Sequence, residues 1–505
     1  MSATTGTKSG TAKKAAKKPS KKPGSTAGAT VACWEDDPGD PRAQPSRQPI
    51  VVAAPNVSSS PLPFKITGTA PAAQVYPAGT ASFRYFAAAA ALRRTASFWG
   101  AIIPAGTQWE LGKTLPVILD DGVDLNAFYT RGDFQDGPGL HFFHATVGGQ
   151  TFFSGESPDV VCHEMGHAVL DAIRPELFDA QAIEAAAFHE SFGDMSAILS
   201  SLQVPSFRQA VMSETGGTLN RSSRLSRLAE QLGGAIRAQH PDAADPDCLR
   251  NAANSFFYRD PQTLPPAAPA AQLSSEPHSF SRVFTAAFLD MLAGVFKMQS
   301  DAPTADDLQK TSEDAARLLV ASVLEAPVVP DYFSQVAAHM ISAGEGAPFN
   351  GKYRGVVKSA FVRRGILSLD AAATVTSVKA PASRGFAAAA ATESRRRSGE
   401  LPQAVISGAH FGLKQAVLKV RVAEQPKHFA VTSAAQTLGT LEPRSPQNAA
   451  QSFTEDLFQR GRVDVGDFAH PDNGLGHSLS TKTHVVVEEK GDLTLRRRTF
   501  DCGFD

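Results

Sequence analysis

The chain has 505 residues, of which 42% are hydrophobic and 20% are charged, and its formal net charge is −1. This length leaves room for about two to four domains, and the balanced charge excludes an overall preference for nucleic acid or for acidic partners. The four cysteines are widely spread and form no CxxC pair, which argues against a disulfide scaffold and fits a reducing compartment.

Residues 1–50 form a tail that is rich in Lys, Ala, Gly, Pro, Ser and Thr, and we predict that it is disordered. Its first acidic residue is Glu35 and seven lysines precede it, so the tail is either a solubilising segment or a handle that makes a weak, salt-sensitive contact with nucleic acid or another anionic surface. The N-terminus lacks the apolar segment of a standard signal peptide, and no apolar run approaches the roughly 18 residues of a membrane helix. We therefore expect a cytoplasmic protein, or one exported by a non-standard route, with no membrane partner.

Residues 51–157 are predicted to form a β-rich lobe. A strand-like segment at 50–57 precedes a helix at 82–98, in which apolar residues recur at helical spacing. Further strands are predicted at 115–119, 125–130 and 140–147, separated by turn-rich segments.

His163, Glu164 and His167 form an H-E-x-x-H motif. Residues i and i+4 share one face of a helix, so both imidazoles can bind one metal ion. A zinc ion lowers the pKa of bound water from about 16 to about 7, and Glu164 is placed to take the proton as general base. Ser157 and Pro158 form a favourable helix start, which predicts a helix at 158–173. Taken alone, the motif also fits an amphipathic helix with two exposed histidines.

A second helix, predicted at 180–202, carries the best candidate for a third metal ligand. Glu190 lies far enough beyond His167 for the chain to turn back, and Asp194 follows one turn later on the same face. There Asp194 can hydrogen-bond a ligand imidazole and fix its tautomer. The surrounding residues are mostly apolar, so these carboxylates are predicted to be paired or metal-bound rather than part of a solvated acidic stripe. His189 points off this face and is not counted as a ligand.

The remaining chain divides into a helical zinc-binding catalytic lobe at 158–368, a low-complexity linker at 369–400 and a C-terminal extension at 401–505. Additional helices are predicted at 222–237, 247–255, 280–297, 305–324, 331–342 and 352–364. In the extension, strands are predicted at 416–422, 484–489 and 493–499, the last two joined as a hairpin at Lys490-Gly491-Asp492. The sequence assigns no role to this extension.

These motifs and their order resemble the thermolysin-like neutral zinc metallopeptidases, zincins in which a glutamate is the third ligand. The residues Asn126-Ala127-Phe128-Tyr129 resemble the edge strand that lines the family's substrate cleft. Glu190 with Asp194 matches the third-ligand segment, Leu249-Arg250 resembles the segment of a substrate-contacting arginine, and His278 follows at the interval of the family's transition-state histidine. The resemblance covers about residues 60–368.

The resemblance implies a two-lobed α+β zinc endopeptidase that hydrolyses extended polypeptides and binds one catalytic Zn²⁺. It implies a role for each candidate site residue: His163, His167 and Glu190 as metal ligands, Asp194 as their hydrogen-bonding support, Glu164 and His278 as catalytic residues, and Asn126, Ala127 and Arg250 in substrate binding. The acidic cluster of the family's calcium sites is not recognisable, so calcium is not predicted.

Two positions depart from the family pattern and motivate another hypothesis. Phe178 replaces a tyrosine that helps at the oxyanion, and Leu273 stands where a carboxylate partner for His278 is expected, while Glu276 lies nearer but out of register. The alternative is a catalytically weak or inactive protein of the peptidase fold that acts as a binding or assembly module and keeps zinc as a structural ion. A nucleoid-associated protein led by the basic tail is a third hypothesis.

Overall fold

The computed structural model describes residues 1–3, 6, 28–39, 47–133, 135–374, 401–425, 444–470 and 481–503. The chain is α+β, with a β-rich N-terminal region, a helical middle and a C-terminal sheet, in agreement with the predicted fold class. Most of the predicted tail and most of the predicted linker lie outside the described residues, so the predictions made for those parts stay predictions.

Short strands surround one long helix in the N-terminal region. These elements are β1 (Thr30–Cys33), β2 (Ile50–Ala53), β3 (Phe64–Ile66), α1 (Ala81–Gly100), β4 (Leu115–Ile118), β5 (Ala127–Thr130), β6 (Gly139–Phe142), β7 (His144–Val147) and β8 (Gln150–Phe153). Folded structure begins earlier than the boundary at residue 50 that the sequence predicted. The reason is that β1 pairs antiparallel with β2 and packs against α1, which buries the short apolar segment around Val31.

Helices dominate the middle of the chain. These elements are α2 (Pro158–Ile173), α3 (Glu176–Asp179), α4 (Ile183–Ser201), α5 (Pro205–Thr215), β9 (Arg227–Leu228), α6 (Glu230–Gln239), β10 (Arg250–Asn251), α7 (Pro277–Lys297), α8 (Ala305–Glu325), α9 (Tyr332–Glu345), α10 (Arg354–Arg363) and α11 (Leu369–Thr374). By length and composition α7 is able to cross a membrane, but 83% of its most apolar window is buried in the fold, as in a core helix. α11 occupies the first residues of the predicted linker, so the folded middle extends past residue 368.

The helix predicted at 247–255 is wrong, and the one predicted at 222–237 is confirmed only from Glu230 onward, as α6. The segment expected to be helical at 222–237 begins as turns and the strand β9, because the Ser223 and Ser226 hydroxyls accept hydrogen bonds from nearby backbone N–H groups and compete with the helix. The segment at 247–255 contains β10 instead of a helix. There Asp245 accepts a hydrogen bond from the backbone N–H of Asn251, whose own side chain accepts one from Ala253, so the backbone turns.

The C-terminal extension is a folded unit, but its last strand pairs with a strand of the N-terminal region. These elements are β11 (Gln403–Ser407), β12 (Val417–Arg421), α12 (Pro446–Gln459), β13 (Val463–Asp464), β14 (His484–Glu489), β15 (Asp492–Arg497) and β16 (Thr499–Asp501). The predicted hairpin is present, because Lys490 and Gly491 both have positive φ, as a two-residue turn of type I′ requires. One five-stranded sheet has the order β11-β12-β15-β14-β13, and the other has the order β16-β5-β6-β4-β3. The C-terminus therefore completes the N-terminal sheet.

Acid is expected to destabilise the C-terminal unit through His484. Burial, together with Arg497, Arg460 and Arg462, lowers the pKa of this imidazole well below 6.5. The unfolded chain then binds the proton more readily, so this stability is present above about pH 6.5 and is lost at about 1.4 kcal/mol per unit as pH falls below it. We expect wild type to lose about 2 kcal/mol more than His484→Gln between pH 7 and pH 5, measured by urea unfolding. Equal losses in the two proteins would contradict this account.

Candidate metal centre

The candidate site lies where α2 crosses α4, and two glycines allow that crossing. A Cβ at Gly193 would stand 2.6 Å from the His163 ring, and one at Gly166 would stand 2.7 Å from the Cβ of Ser196. Both distances are too short for real side chains, so glycine is required for the helices to approach this closely. The Ser196 hydroxyl donates to the Cys162 carbonyl and accepts from the Trp99 indole, which joins α1, α2 and α4.

The side chains of His163, His167 and Glu190 converge in this crossing. Nε2 of His163 lies 3.3 Å from Oε2 of Glu190, and Nε2 of His167 lies 3.8 Å from Oε1. The ligand atoms of the three residues all lie within 4.8 Å of one another and are buried. Both Nε2 atoms and Oε2 of Glu190 have no hydrogen-bond partner. Buried polar atoms without partners are costly, and a metal ion bound by all three would satisfy them. These residues therefore fit a metal ion.

Asp194 hydrogen-bonds the imidazole of His163, the contact that the sequence predicted for it. Its Oδ1 lies 3.1 Å from Nδ1 of His163, so Nδ1 carries the proton and Nε2 stays available to a metal. Arg250 donates to the same carboxylate, with Nη2 at 2.9 Å from Oδ1. Burial opposes the charge, but Arg250 and His163 hold the pKa of Asp194 well below its usual value. Arg250 thus contacts Asp194, and its contact with substrate stays a prediction.

His189 supports the second imidazole, a contact that sequence reasoning set aside. Its Nδ1 lies 3.2 Å from Nδ1 of His167, and both side chains are buried. Burial, together with neighbouring cationic groups, lowers the pKa of each well below 6.5, so both rings are neutral at pH 7. If Nε2 of His167 binds a metal, its Nδ1–H donates to His189. The sequence signal was the adjacency of His189 and Glu190 in one buried helix.

Glu164 lies beside the triad with both carboxylate oxygens buried. Burial raises the pKa of this carboxyl to about 8. His163 and the Cys502 thiol are the neighbours that favour its charged form, and burying this carboxyl beside the triad costs stability.

His278 has a carboxylate partner after all, which corrects the expectation based on Leu273. Glu276 caps the first turn of α7, accepting from the Ser279 N–H, and its Oε1 lies 2.7 Å from Nδ1 of His278. The ring's Nε2 lies 3.2 Å from Oε2 of Glu190, so His278 faces the candidate metal site. Although burial opposes the charge, Glu190 and Glu276 raise the pKa of His278 to about 10.

The predicted substrate strand is present, but its edge is already paired. Asn126 and Ala127 stand at the start of β5, which β16 joins antiparallel with Phe500 opposite Tyr129. The Cys502 N–H donates to the Ala127 carbonyl at 2.8 Å. The sequence predicted an open edge here, and the structure corrects this: the occupant is about 370 residues away along the chain, and no local pattern links the two strands.

Phe178 offers the site no hydrogen-bond donor, as expected from the phenylalanine at this position. Its ring is buried and packs edge-on against Tyr129 and Phe500, with the guanidinium of Arg131 over its face at 4.2 Å. Arg497 donates to the Phe178 carbonyl at 3.1 Å, which fastens this turn to the C-terminal unit.

No family model matches the sequence, and a search of curated proteins finds no match. The geometry alone therefore defines the site. Among the described residues it is a buried group of His163, His167 and Glu190 that could hold a metal ion, with Glu164 and His278 beside it.

Proposed function

We propose that this protein is a zinc-dependent endopeptidase with a two-lobed, thermolysin-like architecture. The observation that carries the proposal is the convergence of three buried, unpartnered ligand atoms next to a buried carboxylate, Glu164. A site that only stabilised the fold would leave no reason to bury Glu164, a fourth group, beside the three ligands. Two imidazoles and one carboxylate are the ligand set of a catalytic zinc, which keeps one position open.

A bound zinc ion would act as a Lewis acid and make water nucleophilic at neutral pH. His163 and His167 hold the ion through Nε2, each oriented through its Nδ1 by Asp194 or His189. Glu164 accepts the proton of the attacking water and returns it to the leaving amine.

His278 is placed to donate a hydrogen bond to the oxyanion that develops on the substrate carbonyl. Its Nδ1 is fixed by Glu276, which leaves the Nε2–H directed at the site. A donor of this kind is typically worth about 3 kcal/mol in the transition state. Arg250, held by Asp194, is proposed to orient the same carbonyl.

The substrate is proposed to be an extended polypeptide that adds to the edge of β5. Asn126 and Ala127 present backbone and amide groups along that edge, and strand addition reads backbone rather than a particular side chain. A small pocket beside Asn126 is lined in part by Val160, Phe143 and Leu232.

Metal binding tests this proposal directly. We expect about one zinc per chain, and zinc at 100 times its Kd should stabilise the fold by about 2.7 kcal/mol in thermal unfolding. His167→Ala should lose both responses, whereas His410→Ala, a change at a largely exposed histidine, should keep them. Zinc binding that persists undiminished in His167→Ala would refute the proposed ligand set.

Peptidase activity is the second measurement. Because β16 covers the edge of β5, activity is best measured on a variant, Phe500→Gly/Cys502→Ser, that weakens this pairing; we call it the released variant. Unfolded casein should be cleaved by the released variant, and a chelator should stop the cleavage. Chelator-insensitive cleavage, or none with zinc bound, would rule out the proposed function.

A further inference from the structure

Residues 499–503 lie along the proposed substrate-binding edge in the manner of a bound peptide. β16 pairs with β5 in antiparallel register, and the Cys502 N–H donates to the Ala127 carbonyl at 2.8 Å. A Cβ at Gly503 would stand 2.7 Å from Cγ of Asn126, so the chain passes directly against that side chain. Asn126 and Ala127, the residues proposed to bind substrate along this edge, are thus both in contact with residues 502–503.

Residues on either side of the pairing anchor this segment. Arg462 donates two hydrogen bonds to the Asp501 carboxylate, at 3.0 and 3.1 Å, with both side chains about 3% exposed. The Phe500 ring stacks on His189 with centroids 3.9 Å apart and on His167 at 5.0 Å. Such buried, charge-assisted and stacked contacts hold residues 499–503 in one specific position.

The segment brings a sulfur to the metal centre. Sγ of Cys502 lies within 4.8 Å of the ligand atoms of His163 and Glu164, and the residue is 2% exposed. Its neighbours there are the His163 imidazole and the Glu164 carboxyl, with both of which the thiol interacts by hydrogen bonding. On the other side His278 Nε2 contacts the Asp501 carbonyl, so the peptide bond between Asp501 and Cys502 occupies the position proposed for the bond to be cut.

We propose that Cys502 is a fourth ligand of the bound metal and that residues 499–503 hold the enzyme latent by filling its cleft. This inference rests on the proposed function in treating the centre as catalytic. A catalytic zinc keeps a position open for water, whereas four protein ligands close it. Thiolate is a preferred zinc ligand, and the thiol proton leaves to solvent when sulfur binds.

Latency follows from the connection of the segment to the rest of the chain. A tethered segment competes at an effective concentration of the order of millimolar, far above that of most external peptides. Activation then requires a partner or a cleavage that removes β16 from β5. The single residue between β15 and β16, Arg498, is buried and donates to Asp136 at 3.1 Å, so the C-terminal unit must move with the strand or be cut from it.

Cobalt substitution tests the ligand assignment without reference to activity. The full chain loaded with Co²⁺ should show a sulfur-to-cobalt charge-transfer absorption, and Cys502→Ser should lose it while still binding cobalt. Cys248→Ser is the matched control, because Cys248 is also buried and its Sγ hydrogen-bonds Asp247 rather than a residue of the candidate metal centre, and it should keep the band. Zinc should also protect Cys502 from alkylation in a peptide-resolved mass spectrum. A cobalt-loaded wild type without the band would overturn the assignment.

Hydrolysis of casein then tests latency. The zinc-loaded released variant should hydrolyse casein about tenfold faster than wild type, or more. A tenfold change corresponds to about 1.4 kcal/mol in the free energy with which residues 499–503 bind the edge of β5. A charge-transfer band with no activity in either protein would uphold Cys502 as a ligand and overturn the proposed peptidase instead. Equal activity in both proteins would overturn latency. So would zinc-dependent loss of residues 502–505 from wild type, because the C-terminus would then be a substrate.

Discussion

Replacing Glu164 with Gln is expected to reduce peptide hydrolysis by about 10²–10⁴-fold while leaving the metal bound, the loss typical of a removed general base. The change keeps the size of the side chain and removes only its ability to accept a proton. Glutamine keeps one oxygen that can accept a hydrogen bond from the side chain at position 502, the neighbour of Glu164 in the fold. The ligand atoms of the triad are untouched, so zinc content and the cobalt spectrum should match those of the parent.

The measurement belongs in the released variant, because latency would otherwise mask the effect. Casein cleavage and zinc content are compared between the released variant and the same protein with Glu164→Gln. Glu313→Gln, on an exposed face of α8, is the matched control and should change neither value. If Glu164→Gln retained more than about a tenth of the parent activity, Glu164 could not be the general base.

The sequence predicted best what is decided locally. The helix α2 has the predicted bounds because its ends are set by neighbouring residues: the Ser157 hydroxyl accepts from the Val160 N–H, Pro158 occupies the first turn, and Pro175 follows its end. The hairpin between β14 and β15 was likewise predictable, since Lys490-Gly491 supplies two residues with positive φ. The metal triad was predictable because helical spacing places two of its members together and a buried carboxylate needs a partner.

What the sequence did not show depends on contacts between distant segments. No feature of residues 499–503 indicates that they pair with β5, since a short strand pattern does not identify its partner. Glu276 was out of register for His278 by family spacing, yet a helix cap brings it to 2.7 Å. The helix predicted at 247–255 does not form. The side chains of Asp245 and Asn251 accept hydrogen bonds from backbone N–H groups there, and these bonds outweigh the helical pattern of the segment.

A lone cysteine at the end of a chain carries almost no signal by itself. The role proposed for Cys502 depends on three neighbours that only the folded structure shows: the edge of β5, the His163 imidazole and the Glu164 carboxylate. The same edge that resembles a substrate-binding strand also serves as the docking place of an internal segment, because both uses need only unpaired backbone groups.

Asp171→Ala is expected to destabilise the protein by about 3–5 kcal/mol, the loss seen when one partner of a buried charge network is removed. Asp171 lies on α2, is fully buried, and its Oδ2 accepts from the Tyr129 hydroxyl at 2.6 Å and from Nε of Arg131 at 3.0 Å. The second guanidinium donor, Nη2, contacts Oδ1 at 2.5 Å. The substitution leaves the Tyr129 hydroxyl buried and without its carboxylate acceptor.

This network also joins β5 to α2, which carries two of the candidate metal ligands, so its loss should reach the site. Tyr129 lies on β5 opposite Phe500, and α2 carries His163 and His167, so Asp171→Ala should loosen β5 from α2 as well as lower the urea midpoint. Asp171→Asn, which keeps one acceptor, should cost less, and Asp306→Ala, at an aspartate whose side chain is 96% exposed, should be nearly neutral. Asp171→Ala with the stability of Asp306→Ala would show that the carboxylate does not hold the two elements together. A loss of stability combined with faster alkylation of Cys502 would instead place the network among the contacts that keep the C-terminus in the cleft.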